Sequence, residues 1–403
     1  MDIQGQMYNR ASDLQSDLMQ TSGVFDWFKR YALLLPVIVM ASYYIGRGLG
    51  DSLQLLYLLC GLYVLRGMDV SPHRRVVYLL VVLLALFLVS VIYPDFSARS
   101  LKHWVLYALS SLVLIFTVGT FSPSHHEPSY RWIAVVPVAL LIGFSFELGY
   151  FFFYSENFHP AVQVNGMILA ALSPLVFLIT LPGKLSPVFF HILFYLLSFI
   201  ALSLADSRTE LLMLLLGGAF FVAIYTKKIS VLFVVMPIVF VVAIVSDSYL
   251  FRPQGLDIGG DTFQWLDRLS SKRLTIWSTA LSHPPDNILM GVGLHRSIEF
   301  LPQISYVKHL HNLFIEIWYE TGLLGLLAYL LLLVLLFWGA PRAYRMFEGI
   351  DRRVYAVFFA SGMAALIGGL LDKGYLHPLT RYYMLFCFSV LYLYHRRCRQ
   401  SKA

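Results

Sequence analysis

Apolar runs, each about as long as a bilayer is thick, follow one another almost from end to end of this chain, and short hydrophilic connections rich in Lys and Arg separate them. About 20 consecutive apolar residues make a helix long enough to cross the hydrocarbon layer. Repeated this often, the runs leave little chain for a soluble core. Composition agrees: 58% of residues are hydrophobic, 13% are charged and the mean hydropathy is +0.70, whereas a soluble domain carries about 25% charged residues. The fold class expected is an all-α polytopic membrane protein. The formal net charge of +7 would suggest nucleic acid in a soluble chain. Here the cations sit in the connections, so the charge describes topology and no nucleic-acid partner is expected.

Apolar segments are read at 32–48, 52–65, 76–93, 103–121, 132–150, 164–182, 187–205, 210–226 and 229–248, and again at 322–339, 354–371 and 382–395. That makes about 12 transmembrane helices, with 312–321 as a lead-in helix. The segment 1–30 lacks a short apolar core followed by a small-residue cleavage site, so it is read as a cytoplasmic segment and not as a signal peptide. The expected order is then 31–248 with nine spans, 249–312 as one large, partly helical periplasmic loop, 313–396 with the lead-in helix and three spans, and 397–403 as a cytoplasmic tail.

With both termini inside, 18 of the 30 Lys and Arg fall on the inside and the short outer loops hold only Arg47, Arg99, Lys102, Arg208, Lys373 and Arg381. That bias obeys the positive-inside rule, which long loops escape, so the long loop can translocate with its own six cations. The three cysteines, Cys60, Cys387 and Cys398, form no CxxC pair. Neither a disulfide framework nor a zinc site is expected. No repeat of 20 to 50 residues and no low-complexity tract occurs.

Four polar constellations lie where ionisable groups are costly. Asp206-Ser207-Arg208-Thr209-Glu210 is a tight turn between two apolar runs, either an interfacial turn with Asp206 and Arg208 paired or an anion site. Arg268-Leu-Ser-Ser-Lys272-Arg273 opens an expected amphipathic helix with Leu269, Ile276, Trp277 and Ala280 near one face. It is either a solvated face or a place where guanidinium forks hold phosphate oxygens. Lys308-His309-Leu-His311-Asn312 precedes an apolar run. Two histidines spaced by two point to opposite sides of a helix and chelate poorly. A lone histidine is more often structural, but an imidazole at a membrane entrance can take a proton from a hydroxyl near neutral pH. Asp372-Lys373 with His377 and Arg381 is read as an internally paired outer loop. A DxD metal pair and a Walker-type GxxxxGK[ST] loop are both absent, so neither metal nor cofactor is expected, and arginines would have to neutralise a leaving diphosphate.

Taken in order, Arg208, then Arg273-Leu-Thr-Ile-Trp277, Asn287-Ile-Leu-Met-Gly291-Val-Gly293, His311-Asn312 and Glu320-Thr-Gly322-Leu-Leu-Gly325 resemble the O-antigen ligase and polymerase superfamily of bacterial membrane proteins. The resemblance covers roughly residues 200 to 330. Ile288 stands where the family often has proline. The glycines of Gly291-Val-Gly293 would permit a tight turn or close backbone approach, and Gly322 and Gly325 would permit close packing of small faces.

The resemblance implies a GT-C-like fold in the bacterial inner membrane with its active site facing the periplasm. It implies metal-independent, inverting transfer of a glycan from an undecaprenyl-diphosphate-linked O-antigen donor to lipid A-core. His311 would act as general base, and Arg208 and Arg273 would bind and stabilise the departing diphosphate. Arg268, Lys272, His309, Asn312 and Asp206 would be weaker contributors to substrate binding, His309 being the second choice of base. A polymerase using the same donor is the nearest alternative. A protein O-oligosaccharyltransferase is disfavoured by the short stretch after the last span, and a transporter by the gathering of polar groups at one face rather than at mid-bilayer.

Overall fold

The computed structural model describes residues 26–93, 95–121, 127–154, 160–179, 187–205, 208–245, 262–270, 272–304, 309–371 and 382–400, together with Gly23 and Val307. Asp206 and the loop residues Asp372, Lys373, His377 and Arg381 lie outside these, and Arg268 is described by its backbone alone.

The described residues are helical, without a strand. In chain order the helices are α1 (Leu34–Ile45), α2 (Arg47–Val64), α3 (Arg74–Ile92), α4 (Ala98–Thr120), α5 (Glu127–Tyr154), α6 (Pro160–Leu172), α7 (Pro187–Leu204), α8 (Arg208–Tyr225) and α9 (Ser230–Val245). Then come α10 (Thr262–Leu269), α11 (Arg273–Ser282), α12 (Leu313–Phe337), α13 (Ala340–Met346), α14 (Gly349–Leu371) and α15 (Met384–Gln400). Every apolar segment read from the sequence is helical, the one at 164–182 as α6 followed by a 3₁₀ stretch, Ser173–Leu178. Seven helices among the described residues are long and apolar enough to cross a membrane, and three shorter apolar helices accompany them.

The centre of the bundle is the pair α8 and α14, the most deeply buried of the long helices. Their packing follows from small residues. Ala356, Ala360 and Ala364 recur every four positions on α14 and are fully buried, and Gly217 of α8 lies so close that an added Cβ would stand 3.4 Å from the Ala364 side chain. Where lipid tails are as apolar as the side chains, such close backbone approach is what holds helices together. Around this pair, α3 packs on α12 and α4, and α15 packs on α14 and α4.

The helices sort the charges into two ends. At one end, Lys227 donates from Nζ to the Arg345 carbonyl (3.1 Å), Arg397 pairs with Asp351 (2.8 Å) and Arg396 reaches the His73 ring (3.0 Å to Nε2). At the other end, the start of α8 meets Arg273 at the start of α11, and the starts of α4 and α12 meet the segment 283–312, as described below. α8 separates the two by its 18 residues, about 27 Å at 1.5 Å per residue.

α12 is two helices joined at Gly322, whose φ of 69° and ψ of −172° break the ladder. Residues 313–321 and 323–337 are therefore separate helical stretches. Gly322 itself acts differently from expectation. It does not offer a small face to a neighbouring helix, because a Cβ there would strike the backbone of Leu289 and Met290. A Cβ added at Gly325 would strike the Thr321 side chain of its own helix first and would stand 3.7 Å from Phe87 of α3.

Candidate functional site

Arg208 and Arg273 are each the first residue of a helix, α8 and α11. A helix N-terminus presents unpaired N–H groups and a positive dipole end, which disfavour a cation and favour an anion. The two starts are brought together by the Arg273 guanidinium, which donates from Nη2 to Thr209 Oγ1 at 3.1 Å. Thr209 and Glu210, the next two residues of α8, are buried, whereas Arg208 and Arg273 keep part of their surface.

The helix expected to open at Arg268 is in fact interrupted. α10 ends at Leu269 and α11 starts at Arg273, with Lys272 in the left-handed region (φ 65°) between them. The cause is local competition for backbone groups. Asp267 accepts from the Thr275 amide (2.7 Å) and hydroxyl (2.6 Å), and its carbonyl accepts from the Lys272 amide (2.7 Å). Arg268 and Arg273 thus belong to different helices. Lys272 is exposed.

One turn along α11 from Arg273, Trp277 donates from its indole N–H to the Leu310 carbonyl (3.1 Å), immediately before His311. Around this bond Ile276, Ala280, Val292, Leu301, Ile304, Leu310 and Tyr319 form a separate small apolar core. Tyr319 closes it by donating from its hydroxyl to the His283 carbonyl (2.9 Å). The apolar face read on this helix is therefore the one that fixes the segment carrying His311.

His309 and His311 are not on a helix, which corrects the expectation that they point apart. Helix α12 begins only after Asn312, whose Oδ1 accepts from the amides of Phe314 (3.0 Å) and Ile315 (3.1 Å). His311 has a left-handed φ of 52° and the two rings lie 4.3 Å apart. Left-handed backbone in a non-glycine residue persists where the surroundings over-determine it, here the buried Leu310 on one side and the cap on the other. Asn312 also donates from Nδ2 to the Leu370 carbonyl at the end of α14 (3.3 Å), so its amide serves to hold the junction.

A neighbouring histidine cluster could not be read from sequence spacing. His295, with φ 61°, lies against His103 of α4 with the ring centroids 3.8 Å apart and the planes tilted by 40°, and accepts at Nε2 from Arg99 (2.9 Å), since a guanidinium only donates. Burial first, then His103, Arg99 and His309, pull the His295 imidazole down from its ordinary 6.5 to about 3. Glu320, buried on the lead-in half of α12, accepts from the His295 amide (2.7 Å) and the Ser297 hydroxyl (3.0 Å). Its carbonyl takes the Gly293 amide (3.0 Å), and an added Cβ at Gly291 (φ 74°) would meet that same carbonyl group. The close backbone approach expected of these glycines is what fastens the loop to α12. Glu316, one turn earlier, is fully buried with neither carboxylate oxygen hydrogen-bonded among the described residues. Among those residues no three His, Cys, Asp or Glu side chains converge as a metal site requires.

Residues 193–330 match the family model described as O-antigen ligase, a segment that holds Arg208, Arg273, His311, Glu320 and Gly322. The match supports the O-antigen ligase and polymerase superfamily, whose members are glycosyltransferase-like enzymes of lipopolysaccharide assembly. No curated protein matches the chain.

Proposed function

We propose that this chain is an O-antigen ligase, transferring a glycan from undecaprenyl diphosphate to a sugar hydroxyl of lipid A-core. The observation that carries the reading is the convergence of two arginine-headed helix starts, joined by the Arg273 to Thr209 bond, with His311 held one helical turn away through Trp277 and Leu310. Arg208 and Arg273 bind the donor diphosphate. His311 removes the proton from the acceptor hydroxyl as its oxygen attacks the anomeric carbon. The bond from that carbon to the diphosphate oxygen breaks, and undecaprenyl diphosphate leaves with its new charge balanced by the guanidinium groups. Displacement in one step inverts the anomeric centre.

In this reading the bundle is GT-C-like with about 12 spans, the basic end lies in the cytoplasm by the positive-inside rule, and the site opens to the periplasm of the inner membrane. His309, Lys272, Arg268 and Asp206 contribute to substrate binding. A ligase is favoured over a polymerase by the single large loop late in the chain. Lipopolysaccharide from a deletion strain, run on a gel and probed for O-antigen and lipid-linked glycan, tests this. Loss of all capped species with polymer accumulating on its carrier supports a ligase. Core bearing a single repeat would instead assign the polymerase step, and an unchanged ladder would reject both.

A further inference from the structure

At the basic end of the bundle, the far end of α8 from Arg208, α7, α8 and α9 enclose a cavity of about 740 Å³. That lies within the 300–1,000 Å³ usual for small-molecule sites. Its walls are almost wholly apolar, and one of them is a ladder of rings. Phe177 lies face to face with Phe221 at 3.8 Å, and Phe221 with Tyr225 at 5.3 Å. Val188 and Ile192 of α7, 63% and 61% exposed, also line the cavity, so it is continuous with the lipid-facing surface.

Two cations stand where the ladder ends. The guanidinium carbons of Arg352 and Arg353 lie 5.3 and 5.7 Å from the same ring, that of Tyr225, and Arg353 also lines the cavity. Among the described residues neither makes an ion pair, and the nearby carboxylate of Asp351 is already held by Arg397. Cation–π attraction accounts for each arginine singly. It does not account for two like charges brought onto one ring, nor for Arg352 Nε, which is buried with no hydrogen-bond partner. A buried, charged donor left unmade is costly. At the other end of the ladder, edge-on to Phe177 at 4.9 Å, His191 also lines the cavity and its Nε2 is buried without a partner.

We infer that this cavity binds an anionic glycerophospholipid. One acyl chain fills the apolar ladder groove, and the headgroup phosphate lies on Arg352 and Arg353 at the Tyr225 end of that groove. Lys227 and Lys228, at the end of α8, add to the positive potential there, and each basic residue near a membrane surface adds to the attraction for anionic lipid. The site is distinct from the one assigned to glycan transfer and does not depend on that assignment.

Native mass spectrometry of the full-length protein, offered equimolar phosphatidylglycerol and phosphatidylcholine with matched chains, tests the inference. The wild type should retain phosphatidylglycerol about tenfold over phosphatidylcholine. Arg352→Gln/Arg353→Gln should lose that preference while still binding lipid. Val222→Trp, which places a large ring at the exposed rim of the cavity, should lower retention of both lipids and leave the arginines intact. Equal retention by the wild type, or a preference unchanged in the double variant, would overturn the proposal. So would undecaprenyl phosphate displacing phosphatidylglycerol when added at the same concentration, since the cavity would then belong to a polyprenyl chain.

Discussion

His311, Arg208 and Arg273 differ in what they are asked to supply, and their replacements should differ accordingly. Removing a positioned general base costs about 10²- to 10⁴-fold in rate, and removing a key charge-stabilising donor about 10²- to 10³-fold. His311→Ala, Arg208→Ala and Arg273→Ala are therefore each expected to abolish visible O-antigen capping in a complemented deletion strain, with membrane insertion intact by immunoblot. Near-normal capping by any one of them removes that residue from the mechanism. His295 makes a prediction of another kind. Its folded pKa, about 3, lies below the ordinary 6.5 because the buried imidazole sits beside Arg99, His103 and His309. The unfolded loop therefore binds the proton first as pH falls, and the folded loop loses stability progressively between about 6.5 and 3. Protection factors for hydrogen exchange over residues 283–300, each referred to the intrinsic exchange rate at its own pH, should fall on going from pH 7.5 to pH 5, and His295→Gln should flatten that dependence. Of these residues, His311 and Arg208 were legible because charge at a span boundary is costly and so conspicuous, and Arg273 as part of a basic cluster in the long loop. His295 and Arg99 were not, being 196 positions apart in sequence.

Helix starts and breaks decide how the site is assembled. Two devices hold the His311 segment: the Asn312 cap, which starts α12, and the Trp277 indole, which grips the Leu310 carbonyl from α11. Trp277→Phe removes the indole N–H together with the five-membered ring that packs on the small core. It should lower the transfer rate at least about tenfold, because displacements of an ångström at a catalytic group are expensive, with a modest fall in thermal stability in detergent from the lost packing. An unaltered rate would mean that packing alone places His311. Gly322 is a stronger constraint. An alanine there must adopt a positive-φ extended backbone that essentially only glycine occupies, about 1–3 kcal/mol by itself, and must also push Leu289 away. Gly322→Ala should therefore lower the melting temperature and the yield of monodisperse protein on size exclusion, with the loop 287–294 coming loose from α12. The capping role of Asn312 was not read from the sequence, where that residue counted as a weaker substrate contact. Nor was the interruption at Lys272, because the competing Asp267 acts on Thr275 eight residues ahead.

Across the whole molecule, the same short connections that bias the charge also gather at one end of the bundle, opposite the two arginine-headed helix starts. A single cysteine at Asp286 should react with an impermeant maleimide in intact spheroplasts, and one at Lys228 only after permeabilisation, in a background lacking the partly exposed Cys60. The reverse pattern would invert the orientation and with it the glycan-transfer reading. That the apolar stretches form helices was set by the sequence by itself. The cost of burying a polar group in hydrocarbon acts residue by residue, and helical periodicity is local. What only the tertiary structure decided is which helix starts meet. Thr209 with Arg273, Leu310 with Trp277 and Glu320 with His295 are joined by loops whose left-handed residues and paired carbonyls follow no period. Tyr225 with Arg352 and Arg353 is likewise a contact between α8 and α14 that exists because Gly217 and the alanines of α14 let those helices come together.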